Sequence, residues 1–350
     1  MRIASPFKAF NNIFIRKSFL EAQIIVTRRC NLSCGYCTEF DNHSKPVPLA
    51  EVSQWIDALH RLGVVQIAFL GGEPLLHEDI DKIVAQANRA SQTSMTTNGF
   101  LIRKEIIDRL NAVGLHHMQL SIDTLKPRAN MYIQKSLKTL RKKIELVLKH
   151  AEFSVHANIV LCEESKPEFK DIVNELRGYD IPVTVNLLHD DTGKTIISGP
   201  EYLELWDYHH EHSKVISFIE QDYGRELLEG RTRDWHCRAG ARHIYVDEFG
   251  MAQYCASQRG RLNKPIVDYT RDDIREQGSI KKGCEKGCSV FCVYRASLVD
   301  SDFPHVAKAL LKSVRNSTLA VPFTSGNGRP PTAAASKPHL ESIGENKQQT

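Results

Sequence analysis

Cysteine is the residue of this chain best placed to do chemistry: nine are present, and eight of them fall into two groups. The first is CNLSCGYC, residues 30 to 37, which sets Cys30, Cys34 and Cys37 at spacings of four and three. Thiolates this close on one loop can converge from one side on a single metal centre. A cubane of four irons and four sulfides takes four ligands. Three cysteines therefore leave one iron open to hold a substrate or cofactor by its polar end. The competing reading is a zinc knuckle, in which His43 supplies the fourth ligand of a tetrahedral ion.

The second group spans CRAGARHIYVDEFGMAQYC, residues 237 to 255, and CEKGCSVFC, residues 284 to 292. It offers Cys237, Cys255, Cys284, Cys288 and Cys292, more thiols than the paired Cys-x-x-Cys of a zinc ribbon supplies. A second metal centre is expected there, with zinc as the alternative to iron and sulfide. Five candidates for at most four positions leave one cysteine over, either a packed thiol or an acid or hydrogen donor to a substrate radical. Cys162 stands alone at the end of a strand, and a small core hydrophobe is the first reading for it, ahead of a catalytic thiol. The pairs His116-His117 and His209-His210 read as structural or solvated, and Gln66, flanked by apolar residues, could point inward.

These residues must be positioned by regular elements. Strand patterns fall at 23–27, 64–70, 94–98, 118–122, 156–161 and 183–188. Between them, Leu49, Val52, Ile56 and Leu59, then Leu137, Leu140, Ile144 and Leu148, recur at helical spacing. Six β-α units in succession imply a parallel sheet, doubly wound or curled into a partial barrel. In such sheets the ligand face lies at the carboxyl ends of the strands, and the motifs gather there. The cysteine loop follows the first strand, GGEP (71–74) the second, TNG (97–99) ends the third and SID (121–123) ends the fourth.

The pattern Cys-x-x-x-Cys-x-Tyr-Cys, with Tyr36 before the last cysteine, resembles the signature of the radical SAM superfamily, and GGEP, TNG and SID extend the resemblance over residues 21–190. That resemblance implies an α/β fold, a partial (β/α)6 TIM-like barrel with a small C-terminal cysteine-rich domain. It implies a [4Fe-4S] cluster on Cys30, Cys34 and Cys37 whose open iron is chelated by S-adenosylmethionine. One electron, from a donor such as flavodoxin or ferredoxin, then releases methionine and a 5'-deoxyadenosyl radical that takes hydrogen from a substrate. Gly71 and Gly72 would expose carbonyls to the cofactor's ammonium, with Glu73 adding negative charge. Ser121 and Asp123 would reach the ribose hydroxyls or the amino-acid end, Tyr36 would pack beside the adenine, and Thr97 and Asn98 are either cofactor contacts or turn residues. The Cys-x12-Gly-x4-Cys element around Gly250 resembles the start of SPASM and twitch extensions, which implies an auxiliary [4Fe-4S] cluster on four of the five later cysteines.

Organisation follows: an amphipathic segment 1–20, a barrel 21–198, a helical linker 199–236, an auxiliary-cluster domain 237–300, a basic amphipathic helix 301–320 and a disordered tail 321–350, rich in Gly, Pro, Ser, Thr and Ala. A net charge of +4 against 46 basic and 42 acidic residues, without a basic block, argues against nucleic acid. The absence of an apolar run long enough to span a bilayer, or of a signal peptide, points to the cytoplasm. The substrate class left open is a peptide or small metabolite for oxidation, crosslinking or rearrangement, and the lack of a leader-binding domain in the first 20 residues weakens the peptide. Phe7, Phe10, Ile13, Phe14 and Phe19 among Lys8, Arg16 and Lys17 motivate a second reading, a lipid or isoprenoid met at a membrane surface. A noncatalytic scaffold with zinc in both cysteine groups is the rival from another class.

Overall fold

The computed structural model describes residues 11–127, 132–215 and 218–316. The expected tail, and Phe7, Lys8 and Phe10, lie outside them. Strands and helices alternate: β1 (Glu21–Thr27), α1 (Leu49–Leu62), β2 (Gln66–Gly71), α2 (Ile80–Ala87), β3 (Gln92–Thr97), α3 (Lys104–Ala112), β4 (His117–Ser121), α4 (Leu137–His150), β5 (Ser154–Leu161), α5 (Phe169–Gly178) and β6 (Val183–Leu187). Each helix returns the chain to the same end of the sheet, so sequential strands pair in parallel. Helix ends are locally encoded: α1 stops at Gly63, whose φ of 80° lets its N–H reach back to the His60 and Leu59 carbonyls. Ser136 opens α4 by accepting from the Thr139 N–H.

The two faces of this sheet differ, and the difference makes it a partial barrel. Ala22, Ile24 and Val26, Ile67 and Phe69, Met95, Met118 and Leu120, Ile159 and Leu161, Val183 and Val185 are buried beneath the helices. Burying each such large side chain contributes about 1.5–3 kcal/mol. Register places the alternate residues on the inner face: Glu21 beside Gln66 and Gln92, Ser94 beside His117, Gln119 beside His156, and Asn158 beside Thr184. These are mostly polar and bond to one another. Gln66 Nε2 donates to Ser94 Oγ at 3.1 Å, Thr184 Oγ1 to Asn158 Oδ1 at 2.9 Å, and His156 pairs with Gln119 Oε1 at 3.0 Å. A parallel sheet covered on both faces reads as continuous apolar runs. This one alternates because helices cover only its outer side.

Beyond β6, α6 (Pro200–His212) and α7 (Gln221–Leu228) pack on the same core through Tyr202, Leu205, Trp206, Tyr223 and Leu227. The later cysteine segment then enters the sheet: β7 (His243–Val246) lies parallel to β1, and β8 (Met251–Gln253) and β9 (Lys264–Pro265) continue antiparallel. The strand order is β6-β5-β4-β3-β2-β1-β7-β8-β9. Gly250, φ 76°, makes the β7–β8 turn over Trp55, where a Cβ would lie 2.5 Å from the indole nitrogen. α8 (Arg271–Ser279), α9 (Phe291–Ser301) and α10 (Phe303–Asn316) close the described chain. The amphipathic ends meet each other: Phe14 lies edge-on to Phe303 at 5.3 Å, and Val306 and Ala309 are buried. Among the described residues, no helix is long and apolar enough to cross a membrane.

Candidate active site

The loop leaving β1 is fixed at both ends before it presents its thiols. The Asp41 N–H donates to the Arg28 carbonyl at 2.7 Å, and Tyr245 on β7 donates its hydroxyl to Glu39 Oε2 at 2.6 Å. Within it, the Leu32 N–H points at Cys30 Sγ at 3.4 Å, and the Cys37 N–H donates to the Cys34 carbonyl at 3.0 Å. Gly35 hydrogen-bonds the Tyr132 carbonyl at 2.9 Å so closely that a Cβ there would sit 2.5 Å from the Tyr132 ring. Cys30, Cys34 and Cys37 are all free. Burial raises the thiol pKa of Cys30, and the nearby Cys37 and Cys34 raise it further. Burial likewise raises Cys34. Cys30 and Cys34, whose ionisation burial and neighbouring thiols oppose, suit a cationic metal centre that would offset that cost. His43 does not join them: its side chain is 81% exposed and lies 3.9 Å from Asp41.

GGEP locks this loop to the sheet. A Cβ on Gly71 would fall 2.0 Å from the Thr27 carbonyl oxygen, and one on Gly72 2.2 Å from that of Arg29. Only glycine permits the crossing. Glu73 is fully buried and accepts from Thr97 Oγ1 at 2.7 Å, the Asn98 N–H at 2.8 Å and the Leu75 N–H at 3.0 Å. Its carboxylate thus joins the second strand end to the third. Asn98 carries the link to the cysteines, donating Nδ2 to Asn31 Oδ1 at 2.8 Å and lying 3.6 Å from Cys30 Sγ.

On the other flank, Tyr36 donates its hydroxyl to Asp123 Oδ2 at 2.6 Å, and the Val160 N–H donates to Asp123 Oδ1 at 3.1 Å. Sequence reasoning missed Lys135, which completes this group. Its ammonium lies 3.2 Å from Asp123 Oδ2, donates to the Tyr36 hydroxyl and stands over the Tyr36 ring. Burial opposes its charge, but Asp123 and the thiols of Cys34 and Cys37 outweigh that and raise its pKa. No motif contains Lys135, and its only signal is a basic residue in the loop before α4. Ser121, at the end of β4, is nearly buried on the same inner face.

The second group is assembled from distant pieces. Cys237 precedes β7, Cys255 follows β8, and Cys284 and Cys288 lie in the loop before α9, where Tyr223 donates to the Cys288 carbonyl at 2.7 Å. Cys237, Cys255 and Cys288 are buried, and Cys284 is half-buried. Burial, with Cys284 and Cys288 adding to it, pushes the Cys237 thiol up to about 12, and burial pushes Cys288 up to about 11. Cys292 begins α9 and faces Glu21 and Gln23 as well as Cys255. Cys162 is fully buried, its thiol 3.6 Å from Ser165 Oγ. His209 and His210 pack around Trp206, whereas His117 turns inward, its ring stacked on His156 at 4.6 Å.

Fold and site together define a parallel α/β partial barrel whose strand ends carry a three-thiol metal loop braced by glycine, glutamate and asparagine. Residues 24–188 match the Radical SAM superfamily, a stretch that holds the three-cysteine loop and the GGEP, TNG and SID strand ends. That superfamily works with a [4Fe-4S] cluster and S-adenosylmethionine. GTP 3',8-cyclase of Clostridium botulinum is 28% identical over 221 residues, 59% of this chain and 68% of that one. GTP 3',8-cyclase of Helicobacter pylori is 26% identical over 330 residues, 89% and 94% of the two. Streptococcus suis SuiB bound to precursor peptide SuiA shares the fold at TM-score 0.58 and 18% identity, covering 81% of this chain and 75% of that one. anSMEcpe with bound AdoMet and Cp18Cys peptide does so at 0.55 and 15%, covering 83% and 99%.

Proposed function

We propose that this enzyme cleaves S-adenosylmethionine reductively at a [4Fe-4S] cluster held by Cys30, Cys34 and Cys37, and takes a hydrogen atom from a polar metabolite of nucleotide size within the barrel. The observation that carries the reading is the convergence of three free thiols at the mouth of a polar-lined barrel. The cluster and S-adenosylmethionine together supply the 5'-deoxyadenosyl radical. The chain's own residues hold and shield. Gly71 and Gly72 let the backbone approach the cofactor's amino-acid end, Ser121 meets its hydroxyl or ammonium groups, and Tyr36 flanks the adenine. Asp123, expected to touch the cofactor, is fully buried on Tyr36, Lys135 and the Val160 N–H and braces that flank instead. Glu73, with Thr97 and Asn98, keeps the two loops in register through buried hydrogen bonds. Lys135 holds Tyr36 and Asp123 in place.

Cys237, Cys255, Cys284 and Cys288 would hold an auxiliary [4Fe-4S] cluster, and a flavodoxin or ferredoxin would supply the electron. A lipid substrate fits poorly with an inner face of Gln23, Gln66, Ser94, Gln119, Asn158 and Thr184, because the donors and acceptors left over from their mutual hydrogen bonds would lose water without a partner. The names of the cyclase relatives make GTP the first substrate to try.

Anaerobic iron and sulfide analysis, then 5'-deoxyadenosine release after dithionite reduction, tests the reading. Wild type is expected to hold about eight irons, two cubanes, and to form deoxyadenosine, with GTP raising the yield. Deuterium transferred from a labelled substrate into deoxyadenosine identifies the hydrogen taken. A protein holding zinc and no iron, with the cofactor left intact, would overturn it in favour of a zinc scaffold.

A further inference from the structure

A third constellation lies at the opposite end of the barrel from the cysteine loop. Glu21 opens β1 and His243 opens β7, and the two are register partners on the inner face. Cys292, at the start of α9, joins them. One ligand atom from each lies within 4.8 Å of the others, the one such group of histidine, cysteine and carboxylate side chains among the described residues. His243 is fully buried, and neither ring nitrogen has a hydrogen-bond partner among the described residues. Its Nδ1 stands 3.9 Å from Glu21 Oε1. A buried imidazole with both nitrogens unmatched costs free energy that a ligand would recover.

Scale separates this group from the two thiol clusters. In a cubane each thiolate binds a different iron, so the sulfurs stand about 6 Å apart. Around one zinc ion, bonds of about 2.0–2.3 Å at tetrahedral angles bring ligand atoms to about 3.5 Å from each other. Glu21, His243 and Cys292 are spaced for an ion, needing only small side-chain movement to close. Their charge also suits one: a carboxylate and a thiolate neutralise a divalent cation, with imidazole as the neutral third ligand. Gln23 Nε2 donates to Glu21 Oε1 at 2.7 Å and so orients the carboxylate. Arg295, the nearby cation, is paired with Glu220 at 3.0 Å, so its charge is already met.

We propose that Glu21, His243 and Cys292 bind a single divalent metal ion of zinc type on the barrel floor, distinct from both iron-sulfur sites. Three protein ligands leave a fourth position for water or for an oxygen or nitrogen of the substrate. The assignment also removes Cys292 from the auxiliary ligand set, leaving Cys237, Cys255, Cys284 and Cys288 to match four irons. It goes beyond the functional reading above and rests on it only for that count.

The test loads the cluster-reconstituted full chain anaerobically with Zn2+, removes excess by gel filtration, and measures zinc, iron and zinc-edge X-ray absorption. One zinc per chain, with one sulfur and the remaining neighbours nitrogen or oxygen, is expected in wild type. His243→Gln and Cys292→Ala should lower zinc at least about tenfold while iron stays at about eight, and Glu21→Gln should weaken retention without loss of iron. Zinc retained no better by wild type than by His243→Gln would overturn the site. So would zinc surrounded by three or four sulfurs, or loss of about four irons in Cys292→Ala, which would return that thiol to the cluster. The wild-type absorption spectrum does not depend on any variant folding. Iron content and deoxyadenosine yield report separately on the radical SAM reading.

Discussion

The two thiol groups reach a similar end by opposite routes. Cys30, Cys34 and Cys37 come from eight consecutive residues, so the geometry of one loop suffices to converge them. The second group draws Cys237, Cys255, Cys284 and Cys288 from segments up to 51 residues apart, brought together by β7, β8 and the turn before α9. The first lies at the mouth of the barrel with Cys30 and Cys37 half-buried and Cys34 buried, whereas of the four in the second only Cys284 is half-buried. A loop that must admit a cofactor is local and accessible. A site whose role is to hold a fixed centre can be remote in sequence and enclosed.

The sharpest way to break this comparison is the triple variant Cys30→Ala/Cys34→Ala/Cys37→Ala. Deoxyadenosine formation should fall below detection, and iron should drop from about eight to about four if the second group assembles independently. Loss of all iron would mean the two sites fold as one. Cys288→Ala sharpens the other half: it should lose about four irons and substrate turnover, while substrate-free cleavage of S-adenosylmethionine stays within about threefold.

Gly72→Ala tests whether the first loop depends on the GGEP crossing. Its methyl group would lie 2.2 Å from the Arg29 carbonyl oxygen. Displacing the loop by about 1 Å should cut deoxyadenosine formation about 100-fold and leave the second cluster intact by EPR. Lys135→Met removes the cation beside fully buried Asp123. Chemical denaturation should show a loss of about 3–5 kcal/mol, and Lys135→Met/Asp123→Asn should regain part of it.

The effect least felt at neutral pH belongs to the scaffold that both sites share. Burial, aided by His210, holds His209 at about 3. The unfolded chain takes up that proton near 6.5, so the stabilisation is complete above that pH. It falls by about 1.4 kcal/mol per unit as the pH drops from 6.5 toward 3. In His209→Gln, stability against pH should lose this part of its acid slope, with both iron counts unchanged.

Legibility followed the same local and remote division. The six strand positions were readable from apolar runs, with boundaries displaced by up to two residues: β1 begins at Glu21 rather than residue 23. Polar Glu21 hid its start because it faces the barrel interior. The amphipathic N-terminal segment suggested a membrane surface, yet Phe14 packs on Phe303, a partner almost three hundred residues away. Lys135 was invisible because an ammonium in a loop carries no periodicity. Only the fold brings it against Asp123.

The sequence alone determined the chemistry of the thiol loop, since three cysteines within eight residues cannot spread far apart, and the alternation of strand and helix, since hydrophobic period is a local property. Tertiary structure decided everything that depends on register and on strand order. It set β7 beside β1, made one face of the sheet polar by leaving it without helices, and brought Glu21, His243 and Cys292 within 4.8 Å of one another. The reason is physical. Side chains separated by hundreds of residues meet only after apolar burial has chosen which strands are neighbours.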